Sequence, residues 1–201
     1  MIVIGGMSGS GKSTLGEELA KRMPDAVLLD SDVVRKQLFG VDPTTPLPEQ
    51  AYTAESTKKF IRHIHRKAKE NLKKGRTVIV TGLFLDTHTR EKQEKLAVKN
   101  GAEFVGIYMH ASAALLFDRV AKRTGSASDA DKKVLRKQFK TIPPRPFHEL
   151  NWHVINADQS LDNIVSSAAY HINRKTNRPR LAKPSVKKSV KKQKPAAPGQ
   201  G

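Results

Sequence analysis

Ile2-Val3-Ile4-Gly5-Gly6-Met7-Ser8-Gly9-Ser10-Gly11-Lys12-Ser13-Thr14 runs an apolar strand straight into a glycine-rich loop and the first turn of a helix. Gly6, Gly11, Lys12 and Ser13 complete the phosphate-loop pattern G-x-x-x-x-G-K-[ST]. Each position has a chemical reason. Glycines at 6, 9 and 11 let backbone N–H groups, those of Ser8 and Ser10 included, turn inward onto phosphate oxygens, and the helix N-terminus adds a favourable dipole. Lys12 reaches the β- and γ-phosphates, the Ser13 hydroxyl ligates Mg²⁺, and Thr14 closes the loop. A glycine-rich turn before an ordinary helix is the competing reading. The preceding strand and the helical spacing of Leu15, Leu19 and Arg22 argue against it. The stretch implies binding of a nucleoside triphosphate.

The remaining composition narrows the setting. A chain of 201 residues suits one α/β domain with a segment left over. There is no cysteine, which excludes disulfides, thiolate metal sites and thiol chemistry. No stretch reaches the length of a membrane span, and the short apolar N-terminus reads as a core strand rather than a signal peptide. A reducing cytoplasm, where ATP is abundant, is the expected compartment. The net charge of +18 is uneven: ten Lys or Arg lie between Arg174 and the end, and no acidic residue follows Asp162. With its four prolines and few apolar side chains, 174–201 reads as a disordered basic tail suited to non-specific nucleic-acid contact, and 1–173 as the folded domain.

Along that domain, strand and helix alternate, predicting a parallel sheet covered on both faces. Strands are expected at 1–5, 26–30, 77–81, 104–109 and 153–156. Helices are expected at 12–23, 32–39, 53–74, 86–100, 113–123, 129–140 and 161–173. The third of these repeats Phe60, Ile64, Ala68 and Leu72 every four residues. Residues 40–52 and the proline-rich 143–146 read as loops. The result is a three-layer α/β nucleotide-binding domain.

Asp30-Ser31-Asp32-Val33-Val34-Arg35 sits at the carboxyl end of the second strand, the edge where open parallel sheets bind ligands. A carboxylate at Asp32 can take a proton from a substrate hydroxyl, and Arg35, one helical turn on, can clamp an oxyanion. The alternative makes Asp32 a helix cap and Arg35 a solvated charge. Arg119 and Arg123 lie four apart on one helical face, where cations closing over a γ-phosphate would come from. Arg90, soon after the third strand, is a further candidate for the acceptor side.

Gly5 to Thr14, Ser31 to Lys36, Leu38 to Val41, Phe84 to Asp86 and Thr124-Gly125-x-x-Ser128-Asp129-Ala130-Asp131 resemble the predicted P-loop kinases, some joined to aminoglycoside-phosphotransferase-like domains. More distantly the chain is similar to zeta toxins, gluconate kinase and chloramphenicol phosphotransferase. The resemblance covers roughly 1–158. It implies a five-stranded kinase core of order 2-3-1-4-5, ATP with Mg²⁺, Asp32 as base, Arg35 as a substrate residue, and a mobile lid over about 119–137. One departure stands out: where the group commonly ends the third strand in aspartate, this chain has Thr81, a poor ligand for a hard cation. The metal shell beginning at Ser13 must then draw its carboxylate from the second strand, from Asp32 or Asp30, with Asp32 expected.

The leading expectation is an ATP-dependent phosphotransferase acting on a hydroxyl of a small molecule, with Lys12, Asp32 and Arg123 catalytic and Arg35 and Arg90 on the acceptor. A kinase acting on RNA or DNA ends is the alternative, although aromatic residues, 5% of the chain, are too few for the usual stacking platform. A non-enzymatic ATP-binding protein tethered by its tail is the third reading, and it leaves Asp32 without a role.

Overall fold

The computed structural model describes residues 1–123, 125, 127–141 and 151–175. Five strands form one parallel sheet: β1 (Ile2–Gly6), β2 (Ala26–Asp30), β3 (Thr77–Thr81), β4 (Val105–His110) and β5 (Trp152–Asn156). Their spatial order is β2-β3-β1-β4-β5. Seven helices cover it: α1 (Lys12–Lys21), α2 (Ser31–Leu38), α3 (Ala54–Lys73), α4 (Thr87–Lys99), α5 (Ala113–Lys122), α6 (Lys132–Thr141) and α7 (Leu161–Lys175). This is the P-loop kinase fold, with the strand order that the resemblance implies. The strands are nearly all apolar because both faces of the sheet are covered.

Each face has its own apolar core. On one, Ile4, Ile107 and Met109 of the sheet meet Leu15, Leu19, Leu116, Leu135 and Ile164 from α1, α5, α6 and α7. On the other, Val3, Val78 and Val80 meet Val34, Phe60, Ile64, Ala68 and Leu72 from α2 and α3. Trp152 lies in that second core over Gly106, where an added Cβ would stand 2.3 Å from the indole ring. Only glycine permits that approach.

Two details of register build the site. Asp30 of β2 lies opposite Thr81 of β3, and Gly6 of β1 lies opposite Met109 of β4. Strand ends that carry chemistry therefore finish on one sheet edge. Several boundaries differ from expectation. Helix α2 starts at Ser31 and is capped by Asp30, whose Oδ1 accepts from the Asp32 and Val33 N–H groups at 3.0 and 3.2 Å. An extended Asp at the strand end satisfies the orphan donors of the helix and displaces Asp32 from that duty. Residues Glu49–Tyr52 form a 3₁₀ turn inside the stretch expected to be a loop. Helix α7 continues through Arg174 and Lys175. The proline-rich 143–146 and the basic stretch from 176 onward lie outside the described residues, as do positions 124 and 126 of the expected lid.

Candidate active site

The phosphate loop is held in shape by backbone that side chains could not adopt. Gly6 has φ +144°, and a Cβ there would come within 2.7 Å of the Met109 carbonyl oxygen. The loop is also fixed from outside. Ser8 donates its N–H to Gln138 Oε1 at 2.9 Å, and Gln138 Nε2 donates to Ser8 Oγ at 2.9 Å. Gln138 is buried on α6, so that helix is bolted to the loop by a reciprocal pair. Lys12 Nζ donates to the Met7 carbonyl of its own loop at 2.8 Å. Desolvation lowers its pKa to about 8, against the opposing pull of Asp32 and Asp30. A bound polyphosphate would restore the charge.

The carboxylate beside Ser13 is Asp30. Its Oδ2 accepts from Ser13 Oγ and from Thr81 Oγ1, each at 2.7 Å, while Oδ1 caps α2. All four bonds rest on one buried side chain, 8% exposed. Asp30, rather than the expected Asp32, is therefore the carboxylate in contact with Ser13. Thr81, standing where an aspartate is common, instead orients the aspartate of the neighbouring strand. A hydroxyl and a carboxylate in contact are the donor set a hard cation with a phosphate needs, so Ser13 and Asp30 fit Mg²⁺.

Asp32 is hydrogen-bonded to Ser128 and lies within electrostatic reach of Lys12, Arg123 and Asp30. Burial raises its pKa above the usual carboxylate value; the Ser128 bond opposes that rise, and the Asp30 charge adds to it. Such a carboxylate holds a proton more readily than an exposed one, which suits a base.

Three successive residues tie the two sides of the cleft together. Ser128 bonds Asp32. Asp129 accepts from Lys36 Nζ at 2.8 Å, from the Leu47 N–H at 3.0 Å and from Tyr52 OH at 2.8 Å. The Ala130 carbonyl accepts from Arg123 Nη2 at 2.6 Å. Lys36, only 1% exposed, also donates to the Pro43 carbonyl. Burial followed by the Asp129 bond pushes the Tyr52 phenol well above its normal pKa.

The arginines divide into two groups. Arg119 and Arg123 line the cleft. Arg119 bridges its two walls, with Nη1 3.4 Å from the Gly9 carbonyl and Nη2 3.2 Å from that of Ala157. Arg35 does not line it. Its Nη1 donates to the Ala51 carbonyl at 2.8 Å, and its guanidinium lies over the Phe60 ring at 4.2 Å and the Tyr52 ring at 5.2 Å. It fastens the Glu49–Tyr52 turn to α2, and Tyr52 lines the cleft instead. Arg90 is also corrected. It is 2% exposed, and Nη1 donates to the Phe84 and Leu85 carbonyls at 3.1 and 2.8 Å. That clamp holds the loop after β3, whose Leu83 carbonyl accepts from Gly6 N–H, so Arg90 supports the phosphate loop from below rather than meeting an acceptor.

The cleft has a volume of about 1400 Å³, more than the roughly 300–1,000 Å³ of one small-molecule site. Its lining includes the phosphate loop, Arg119, Gln159, Leu161 and Ile164, together with Asp32, Tyr52 and Ser128. Gln138, Lys36 and Tyr52 were missed by sequence reasoning. A glutamine three residues after Leu135, on the apolar face of α6, was the signal available for the first.

Comparison with known proteins agrees with this fold. Residues 1–144 match the model of the AAA domain family AAA_33. An uncharacterized protein of Mycobacterium tuberculosis is 29% identical over 138 residues, which is 67% of this chain and 28% of that protein. The chain thus spans under a third of the length of the curated relatives it matches. Among solved structures, a gluconokinase from Sinorhizobium meliloti is 26% identical, with a TM-score of 0.60 over 86% of this chain and 91% of its own. The Mycobacterium tuberculosis APS kinase CysC, in complex with AMPPNP and APS, has the same fold at 17% identity, with a TM-score of 0.61 over 86% of this chain and 96% of its own.

Proposed function

Because this chain belongs to the AAA domain family AAA_33, and its solved likenesses are P-loop kinases, we propose that it transfers the γ-phosphoryl group of ATP to a hydroxyl of a small molecule. The observation that carries this reading is the position of Asp32. It is a half-buried carboxylate of raised pKa that lines the same cleft as the phosphate loop, with Lys12 and Arg123 in electrostatic reach. A protein that only bound ATP would have no need of it there.

The roles follow from the geometry. Backbone N–H groups of the phosphate loop and Lys12 would hold the β- and γ-phosphates, and Arg119 with Leu161 would flank the base. Ser13 and Asp30 would hold Mg²⁺, which supplies charge neutralisation between the phosphates. Asp32 accepts the acceptor's proton as its oxygen bonds to the γ-phosphorus. The bond from that phosphorus to the β-bridging oxygen breaks, and ADP leaves with the electron pair. Arg123 and Lys12 meet the charge spread over the transferred group, the largest contribution expected in phosphoryl transfer.

The test is ADP formation from ATP and Mg²⁺ across sugars, sugar acids, nucleosides, antibiotics and oligonucleotides, with Lys12→Ala as the blank. A small-molecule hydroxyl compound that raises turnover at least about tenfold above the blank is the expected result. ADP formation that no acceptor stimulates would overturn the proposal.

A further inference from the structure

The charge of the folded part of this chain is concentrated on one helix. Between Ala54 and Arg76 there are nine Lys or Arg against two Glu, whereas the whole of 1–173 has 27 against 19. Remove α3 and the turn after it, and the rest of the domain is almost neutral. The spacing that buries Phe60, Ile64, Ala68 and Leu72 against the sheet sends the other positions outward. Lys58, Lys59, Arg62, Arg66, Lys69 and Lys73 are all exposed there. Lys59 pairs with Glu55 and Arg66 with Glu70; Lys58, Arg62, Lys69 and Lys73 meet no carboxylate among the described residues.

We propose that this outer face of α3 is a docking surface for the phosphate backbone of a single-stranded nucleic acid. Residues 58, 62, 66, 69 and 73 follow one another by three or four positions, hence about 5–6 Å apart along the axis, in a straight row that a flexible backbone can track. The row is one helix wide and has no aromatic platform, so it reads phosphates and not bases. Surrounding groups bear out a concentrated positive potential: burial, then Lys67 and Arg66, hold His63 below its usual pKa, and burial, then Lys92, does the same for His65. A membrane surface fits less well, because an interfacial helix inserts an apolar face and every large apolar residue on this helix except Ile61 is buried. Lys58, Arg62, Arg66, Lys69 and Lys73 do not line the cleft, although Lys67, Glu70 and Asn71 of the same helix do, and the proposal does not require the nucleic acid to be the phosphate acceptor.

The test is fluorescence anisotropy of a labelled 20-nucleotide single strand titrated with the full chain from 0.05 to 0.3 M salt. One variant replaces Lys58, Arg62, Lys69 and Lys73 with Gln, which keeps helix propensity. A control replaces Lys21, Lys99, Lys122 and Lys140, exposed and elsewhere, for the same change in net charge. The ridge variant should bind at least about tenfold more weakly at 0.1 M salt, its log–log salt slope shallower by about 2–3. The control should stay within about twofold of wild type. Equal effects of the two variants would overturn the proposal, because general charge would then suffice. So would loss of binding to anionic phosphatidylserine vesicles with oligonucleotide affinity retained, which would reassign the ridge to a membrane. Unchanged thermal unfolding of both variants keeps the comparison valid.

Discussion

The two halves of the cleft are built on opposite plans. The phosphate half comes from one contiguous stretch, Gly6 to Thr14, whose geometry is mostly backbone; its outside supports are Gln138 and the loop clamped by Arg90. The half that we assign to the acceptor has no contiguous stretch at all. Asp32, Tyr52 and Ser128 come from three segments, and one carboxylate, Asp129, joins two of them through Lys36, Leu47 and Tyr52. A backbone cradle suits a ligand whose phosphates never vary. An assembly of side chains and turns is the part that can be altered to suit a different acceptor, and the part most easily broken.

The sharpest way to break the comparison is to remove the charged side chain that the phosphate loop itself carries. Lys12→Ala should lower acceptor-dependent turnover roughly thousandfold, about 4 kcal/mol, with the fold intact by circular dichroism. On the acceptor side the larger loss should be structural. Asp129→Ala strands the buried Lys36 charge and should cost about 2–3 kcal/mol in urea unfolding, while Lys36→Met, which removes the charge itself, should cost less. AMPPNP affinity should stay within about threefold in both; a large loss of nucleotide binding would mean the halves are not separate. Smaller still, Gln138→Ala deletes two hydrogen bonds to Ser8 and should weaken AMPPNP binding by about 1 kcal/mol, roughly fivefold.

The halves should also separate by pH. Asp32 must be deprotonated to act, and its pKa is raised, so kcat/KM should climb with pH through a value above the usual carboxylate range. Lys12 must be charged and its pKa is about 8 in the free protein, so kcat/KM should fall again above roughly pH 8. Asp32→Asn should abolish the acid limb and leave the alkaline one.

What could be read from sequence follows the same division. The phosphate loop was legible because its chemistry is local: strand, glycines, lysine and hydroxyl lie within thirteen residues. Strand and helix positions were legible because apolar spacing is local too, whereas the strand order followed only from the resemblance to P-loop kinases. The carboxylate beside Ser13 was not legible. Asp30 ends the second strand and Asp32 lies two residues on in α2, and the β2–β3 register, which sets Asp30 against Thr81, shows which of them meets Ser13. Arginine was hardest of all. Arg35, Arg90, Arg119 and Arg123 look alike in a sequence, yet burial and carbonyl partners make two of them struts and leave two in the cleft. Lys36 escaped because a lysine on a short helix normally points to water, and its partner Asp129 is 93 residues away.

The central claim is that Asp32 serves the acceptor and Asp30 the metal. The direct measurement is steady-state kinetics of Asp32→Asn on the acceptor found by screening, with AMPPNP affinity measured beside it. The account predicts a kcat at least about a hundredfold lower, with nucleotide affinity within twofold of wild type. A kcat within threefold of wild type would contradict it.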